Sequence, residues 1–179
     1  MELTPALPDP EFANRVLKVN HAGEHGAANI YAGQIFVARL TAPSLVAELR
    51  EFKSHEERHR AVFWAELSRR NQPRCRSYHL CGLGGFVLGL VTGVLGRRAI
   101  AATTVAVERV VLRHLAHQLS MLRSRDTAAA MAIASIVEEE QQHHDRSAIY
   151  SRAGGFWPAV LTPVVAVSTE LVIWSGMRL

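Results

Sequence analysis

Two stretches of this chain set a glutamate and a histidine three positions apart: Glu56 and His59 within His55-Glu56-Glu57-Arg58-His59, and Glu140 and His143 within Val137 to Asp145. On a helix that spacing puts carboxylate and imidazole on one face, where both can grip the same cation. Two further glutamates stand among small or apolar residues, Glu24 in Ala22-Gly23-Glu24-His25-Gly26-Ala27 and Glu108 in Thr104-Val105-Ala106-Val107-Glu108-Arg109. One offset of 84 positions carries Glu24 to Glu108, Glu56 to Glu140 and His59 to His143, and in each half 32 positions separate the lone glutamate from the paired one. A single Glu-x-x-His is common on wet helices and binds nothing. A duplicated one, each copy with its glutamate at a fixed interval, describes two helix pairs related by an internal pseudo-twofold.

For two antiparallel helices to hold these residues level, the turn must fall midway, near residues 40 and 124. Thr41-Ala42-Pro43-Ser44 and Ser124-Arg125-Asp126-Thr127 supply turn chemistry at both places. Apolar residues recurring every three or four positions then predict core helices over 11–40, 44–71, 99–123 and 126–152, with Asp126 capping the last. Glu24, Glu56, His59, Glu108, Glu140 and His143 all fall on the apolar stripes. A lone carboxylate buried there would be costly enough to stay protonated, and a divalent cation removes that cost. Four helices carrying two single glutamates and two Glu-x-x-His pairs form the ferritin-like arrangement that holds di-iron or di-manganese centres. The fold class is therefore all-α, a ferritin-like four-helix bundle, in one domain over 1–179.

Hydrophobic residues make up 49% of the 179 positions and charged ones 20%, an apolar balance that suits contact with lipid or a greasy ligand. No charge occurs from Leu80 to Gly96, a stretch near the lower limit for spanning hydrocarbon and weakened as an isolated helix by its glycines. It reads as a long crossover between the second and third core helices, lying at an interface or packed on the bundle. The segment 156–179 is again apolar, with Trp157 and Trp174 near its ends, as an interfacial helix would have. Arg69, Arg70, Arg74, Arg76, Arg97 and Arg98 flank the crossover, and a net charge of +4 suits an anionic membrane surface. Nucleic acid is excluded as a partner, since no aromatic-interleaved basic stripe accompanies the charge. Met1 to Pro10 shows no export signal, and Cys75 and Cys81, six apart, read as reduced bystanders in a reducing compartment.

Four carboxylates and two imidazoles, without thiolates, favour iron or manganese over zinc or copper(I). Apolar surroundings point to oxygen chemistry and so to two iron ions. Glu24 and Glu56 serve one metal side and Glu108 and Glu140 the other; which carboxylates bridge stays open. The six ligands are also the candidate catalytic residues. Asp145 either orients an imidazole or is solvated. His21 and His114 lie within two turns of ligands and read as packed or surface histidines, a supporting role being the other option, while His25 and His117 have only the packed or surface reading. Glu57, Glu138 and Glu139 read as the wet face, and Glu170 as a bundle-end charge.

Asn20-His21-Ala22-Gly23-Glu24-x-Gly26-Ala27, Ile30-Tyr31-x-Gly33-Gln34, the Glu56-x-x-His59 pair, Thr104-Val105-Ala106-Val107-Glu108 and Glu140-x-x-His143-His144-Asp145 closely resemble the Coq7 family, the demethoxyubiquinone hydroxylases of ubiquinone biosynthesis. The resemblance runs from about Arg15 to Leu179. It implies a membrane-associated di-iron monooxygenase that uses O2 to hydroxylate the quinone ring of a polyprenylated precursor, with NADH or reduced quinol as electron donor. It further implies a peripheral place on the cytoplasmic face of the cell inner membrane, contact with membrane lipids, and room for other ubiquinone-biosynthesis proteins or a homo-oligomer. Two departures stand out. Arg109 occupies a place where members often carry a second acid, and Leu115 one where some carry tyrosine. The competing reading of the same ligands is a ferritin- or rubrerythrin-like di-iron oxidase or peroxidase, which needs no uncharged crossover.

Overall fold

The computed structural model describes residues 10–151 and 156–178, and every element among them is helical. In chain order these are α1 (Pro10–Thr41), a short 3-10 turn (Pro43–Leu45), α2 (Val46–Arg69), α3 (Tyr78–Leu95), α4 (Arg97–Leu122), α5 (Thr127–Ala134), α6 (Val137–Ser151) and α7 (Phe156–Gly176). The proline-punctuated lead-in over 1–9, the Ala153-Gly154-Gly155 stop and residue 152, the predicted end of the fourth core helix, fall outside the described residues.

The predicted turns stand where the spacing put them. Pro43 starts the first, and Asp126 closes the second by accepting the Ala129 backbone N–H at 3.0 Å. Arg70, at the end of α2, forks onto the same carboxylate at 2.6 and 2.8 Å and so ties the C-terminal end of α2 to the turn between α4 and α5.

The fourth core helix, expected as one piece over 126–152, is two. Ser135 Oγ donates to the Ala132 carbonyl at 2.8 Å, the acceptor an unbroken helix would offer to the Ile136 N–H. That N–H turns instead to Ile133 at 3.3 Å. A hydroxyl competing for a ladder carbonyl in this way breaks the helix one turn before Glu140.

The offset of 84 carries α1 onto α4 and α2 onto α5 and α6; it also lays α3 on 162–179, most of which is α7. The repeat is thus three helices long, one more than the acidic residues alone suggested. Within each half the first helix packs on both the others, α1 on α2 and α3, α4 on α6 and α7.

Two apolar clusters plug the bundle on either side of the acidic layer. One holds Val16, Leu17, Phe63, Leu67, Leu115, Leu122 and Ile133; the other holds Tyr31, Ile35, Leu49, Phe52 and Ile100.

The crossover α3 is a complete helix because α1 supports it. Its glycines face α1: a Cβ added at Gly89 would lie 2.1 Å from the Ile30 carbonyl oxygen, and one at Gly33 would lie 2.4 Å from that of Phe86. Glycine here permits backbone to touch backbone, the small-residue packing that helices use where apolar burial gives little drive. Gly26 of α1 meets Gly85 of α3 backbone to backbone, whereas Gly23 is exposed with open space above it. Gly96, with φ of 86°, is the single residue joining α3 to α4. Both cysteines are free thiols.

Replacing Gly89 by Ala should therefore lower the unfolding free energy by about 1–3 kcal/mol through overpacking. Gly84, also in α3 but open to its surroundings, should tolerate Ala or gain up to about 1 kcal/mol. Denaturant melts of the two variants in mild detergent check the contrast.

Candidate metal centre

The ligand candidates sit near the middles of their helices, except Glu140 in the first turn of α6, and all lie between the two apolar plugs. Glu24 comes from α1, Glu56 and His59 from α2, Glu108 from α4, Glu140 and His143 from α6, and all six are buried. The structure brings them into two overlapping groups: Glu24, Glu56, His59 and Glu140, and Glu56, Glu108, Glu140 and His143, with ligand atoms inside each group within 4.8 Å of one another. Glu56 and Glu140 belong to both groups, while Glu24 and Glu108 each belong to one.

The pseudo-twofold is visible in the distances. His59 Nδ1 lies 2.8 Å from Glu140 Oε1, 3.8 Å from Glu56 Oε2 and 3.9 Å from Glu24 Oε2. His143 Nδ1 lies 3.2 Å from Glu56 Oε1, 3.6 Å from Glu140 Oε2 and 3.9 Å from Glu108 Oε1. Both imidazoles turn Nδ1 inward.

Whether these residues suit a metal can be judged from their unsatisfied atoms. Both oxygens of Glu56, Oε1 of Glu140 and Nδ1 of both histidines are buried without a hydrogen-bond partner. Buried polar groups left unpaired are costly, and here five of them converge on one space. Two divalent cations would satisfy them and would balance the four carboxylate charges, with the imidazoles neutral. The donor set is oxygen-rich with two nitrogens, which fits iron or manganese.

Electrostatics without a cation tells the same story. Burial, then the neighbouring Glu140 and Glu56, pushes the carboxyls of Glu24 and Glu108 well above the usual range. Burial pulls the imidazoles down, but the negative charge of Glu140 and Glu56 beside them outweighs it, so His59 rises to about 10 and His143 to about 9.

The outer nitrogens have partners that sequence reasoning missed. His59 Nε2 lies 2.7 Å from Glu139 Oε2, and Arg58 donates to the other oxygen of Glu139 at 2.8 Å. His143 Nε2 lies 3.1 Å from His55 Nδ1. Glu139 is thus not part of the wet face, where its two acidic neighbours in sequence suggested it belonged; its side chain is only 32% exposed. Glu57 and Glu138 are exposed as expected. A signal was present, for the same offset of 84 relates His55 to Glu139.

The remaining candidates divide as follows. Asp145 is exposed and engages His144 and Gln141 at 2.9 Å, away from His143. His21 is buried in a stack between Trp64 and Tyr78. His25 stacks on the other side of Tyr78 and meets Arg60; His117 is exposed. His114 meets Glu170 at 2.7 Å and Arg113 meets it at 2.8 Å, so the lone acid of α7 pins that helix to α4.

Tyr31 donates to Glu108 Oε1 at 3.1 Å. Beside this bond a narrow crevice of about 10 Å³, roughly room for one water, runs between α1 and α4 past Ala27, Ile30, Thr104 and Val107.

Because Glu56 and Glu140 belong to both groups, Glu56→Ala and Glu140→Ala should each abolish binding of both metals, whereas Glu24→Ala and Glu108→Ala should each keep one. Metal per chain after reconstitution of the stripped protein distinguishes the two classes. Stripping wild-type protein with a chelator should lower its melting temperature by about 5–10 °C, the scale of removing a ligand held at some hundred times its Kd.

The family model described as "Ubiquinone biosynthesis protein COQ7" matches residues 11–176. The chain is 32% identical over 177 residues to the 3-demethoxyubiquinol 3-hydroxylase of Rhodospirillum rubrum, covering 97% of this chain and 82% of that protein. It is 31% identical over 176 residues to the mitochondrial NADPH-dependent 3-demethoxyubiquinone 3-hydroxylase of Dictyostelium discoideum, covering 94% and 78%. It is 30% identical over 184 residues to the mitochondrial 5-demethoxyubiquinone hydroxylase of Saccharomyces cerevisiae, again covering 94% and 78%. With a duplicated acidic centre between the paired helices and a match along almost all its length, the chain belongs to the family of the ubiquinone biosynthesis protein COQ7.

Proposed function

We propose that the chain is a di-iron monooxygenase that hydroxylates the quinone ring of a polyprenylated ubiquinone precursor, working as a single domain. The observation that carries this reading is the buried set of two overlapping Glu/His groups, made from the residues by which the sequence resembles its relatives. Glu24, Glu56, His59, Glu108, Glu140 and His143 would hold two iron ions, and iron so held supplies activation of O2 and oxygen transfer when reduced by NADH or by reduced quinol.

The protein's own part is access, orientation and exclusion of water. Tyr31 fixes Glu108 through its hydroxyl. The crevice beside that pair is lined mainly by carbon and has room for about one water, so a flat ring reaching Glu108 there would have to part α1 from α4.

The approach from lipid is supported by α3 and α7. Both are long and apolar enough to cross a membrane, and both expose large side chains: Leu80, Leu83, Val87, Val91 and Val94 on α3, Val160, Val164, Val167, Leu171 and Trp174 on α7. Yet α3 is bound to α1 at Gly26, Gly33 and Gly89, along most of its length. A helix fixed lengthwise to the bundle lies on the membrane with it, and the exposed Arg74, Arg76, Arg97 and Arg98 at its two ends would meet the same anionic surface. Ile30, Leu88, Val107 and Val165 join α1, α3, α4 and α7 near the crevice, which would let a polyprenyl tail remain among lipid chains while its ring reaches Glu108. This arrangement suits peripheral attachment to the cytoplasmic face of the cell inner membrane. A homo-oligomer, or contact with other ubiquinone-biosynthesis proteins, would use surfaces away from this layer.

Purified protein should carry about two iron ions per chain and yield hydroxylated product from precursor quinone, reductant and O2. Iron uptake and O2 consumption without that product would favour the ferritin- or rubrerythrin-like oxidase. For attachment, Leu83→Asp with Val87→Asp should reduce flotation with anionic vesicles at least tenfold, since each change removes about 1.5–3 kcal/mol of apolar burial; unchanged flotation would rule out α3 as the contact.

A further inference from the structure

Directly behind the two inward-turned histidines the halves of the centre do not repeat each other. Residues 55 and 139 are related by the same offset of 84 as the ligands, and each stands behind the histidine of the opposite half. One is an imidazole and the other a carboxylate. We infer that this pair makes the centre unequal from outside: Glu139, holding the outer nitrogen of His59, makes the His59 and Glu24 side the tighter metal position, and His55 behind His143 leaves the Glu108 side the weaker.

The argument begins with the direction of the rings. Both histidines turn Nδ1 toward the shared carboxylates, so a cation takes Nδ1 and the proton must sit on Nε2. That N–H needs an acceptor. For His59 the acceptor is Glu139 Oε2 at 2.7 Å, a charged oxygen that holds the ring in place and strengthens it as a donor to the cation. For His143 it is His55 Nδ1 at 3.1 Å, a ring lone pair with no negative charge, on an imidazole stacked beside its partner with centroids 5.2 Å apart. Arg58 draws on Glu139 as well, but through Oε1; Oε2 is held by His59 at 2.7 Å, with His55 Nδ1 beyond hydrogen-bond range at 3.8 Å. Glu139 and His55 are therefore positioning residues, acting on the metal through the ligand histidines. The consequence is ordered loading, first on the Glu24 side and then on the Glu108 side.

This rests on the two-metal reading, and the experiment separates the two. Stripped protein is titrated with cobalt(II) while its visible absorption and heat are followed. Wild type should take up two ions in resolved steps; uptake of fewer than two overturns the two-metal reading and this inference with it. In the Glu24→Ala background the one remaining step should be the weaker, should be unmoved by Glu139→Gln, and should weaken about tenfold with His55→Ala. In the Glu108→Ala background the remaining step should be the tighter and should weaken about 10–100-fold with Glu139→Gln. Arg58→Ala, which removes only the other partner of Glu139, should shift neither step by more than about twofold. Melting curves of the metal-free variants, expected to match their backgrounds, show that each is folded. Two ions bound by wild type, with Glu139→Gln moving both steps equally or neither, would overturn the inference while leaving the two-metal centre standing.

Discussion

The constraint on which this structure depends is the burial of four carboxylates and two imidazoles in one apolar space. Glu56 and Glu140 are each 1% exposed and His143 is fully enclosed, in surroundings where an uncompensated charge is prohibitively costly. Within the chain alone, compensation comes from protons, as the raised Glu24, Glu108, His59 and His143 attest. Five converging polar atoms still lack partners. The core is therefore designed around positive charge that the sequence does not itself provide, and its apolar plugs can be packed so tightly because that charge is local and fixed.

Duplication answers the geometric side of the same constraint. The pseudo-twofold brings the acidic and imidazole side chains in from four helices by repeating one three-helix unit. Exact repetition is relaxed where function allows. In the first half the covering helix is joined to the core by glycine contacts; in the second, α7 is held through Val165 and through Glu170 on Arg113 and His114. The position that is Tyr31 in α1 becomes Leu115 in α4, so only Glu108 has a phenol at its side. The sequence comparison had found a tyrosine absent at Leu115. Its counterpart by symmetry is present, touching the other glutamate.

The ligands were legible because spacing is preserved even where neighbours are not: Glu24 to Glu108, Glu56 to Glu140 and His59 to His143 share one offset regardless of context. Helix ends near 40 and 124 followed from the same arithmetic. Glu139 was misread for a local reason. It sits between Glu138 and Glu140 in a run of acids, and helical periodicity assigns it outward, whereas its position on the side of α6 lets its carboxylate reach across to α2. Periodicity describes which way a Cα faces; it does not describe how far a side chain reaches. The break at Ser135 was hidden because a serine hydroxyl competes for a carbonyl only in some rotamers, and nothing in the pattern of apolar residues marks it.

The glycines of the crossover are instructive in another way. Gly82, Gly84, Gly85, Gly89 and Gly93 make α3 a poor helix in isolation, which pointed to a crossover at an interface or packed on the bundle. In the fold most of those glycines form the contact face, leaving the bulky side chains on the outside. A helix that buries glycine and exposes leucine and valine has its polarity of packing reversed relative to a water-facing helix. Such a reversal is stable only where the outer side chains meet something apolar, and α7, with the same outward pattern, imposes the same condition from the second half. The two covering helices thus join the inner constraint to an outer one: charge enclosed by apolar plugs within, and an exposed apolar layer on α3 and α7 without.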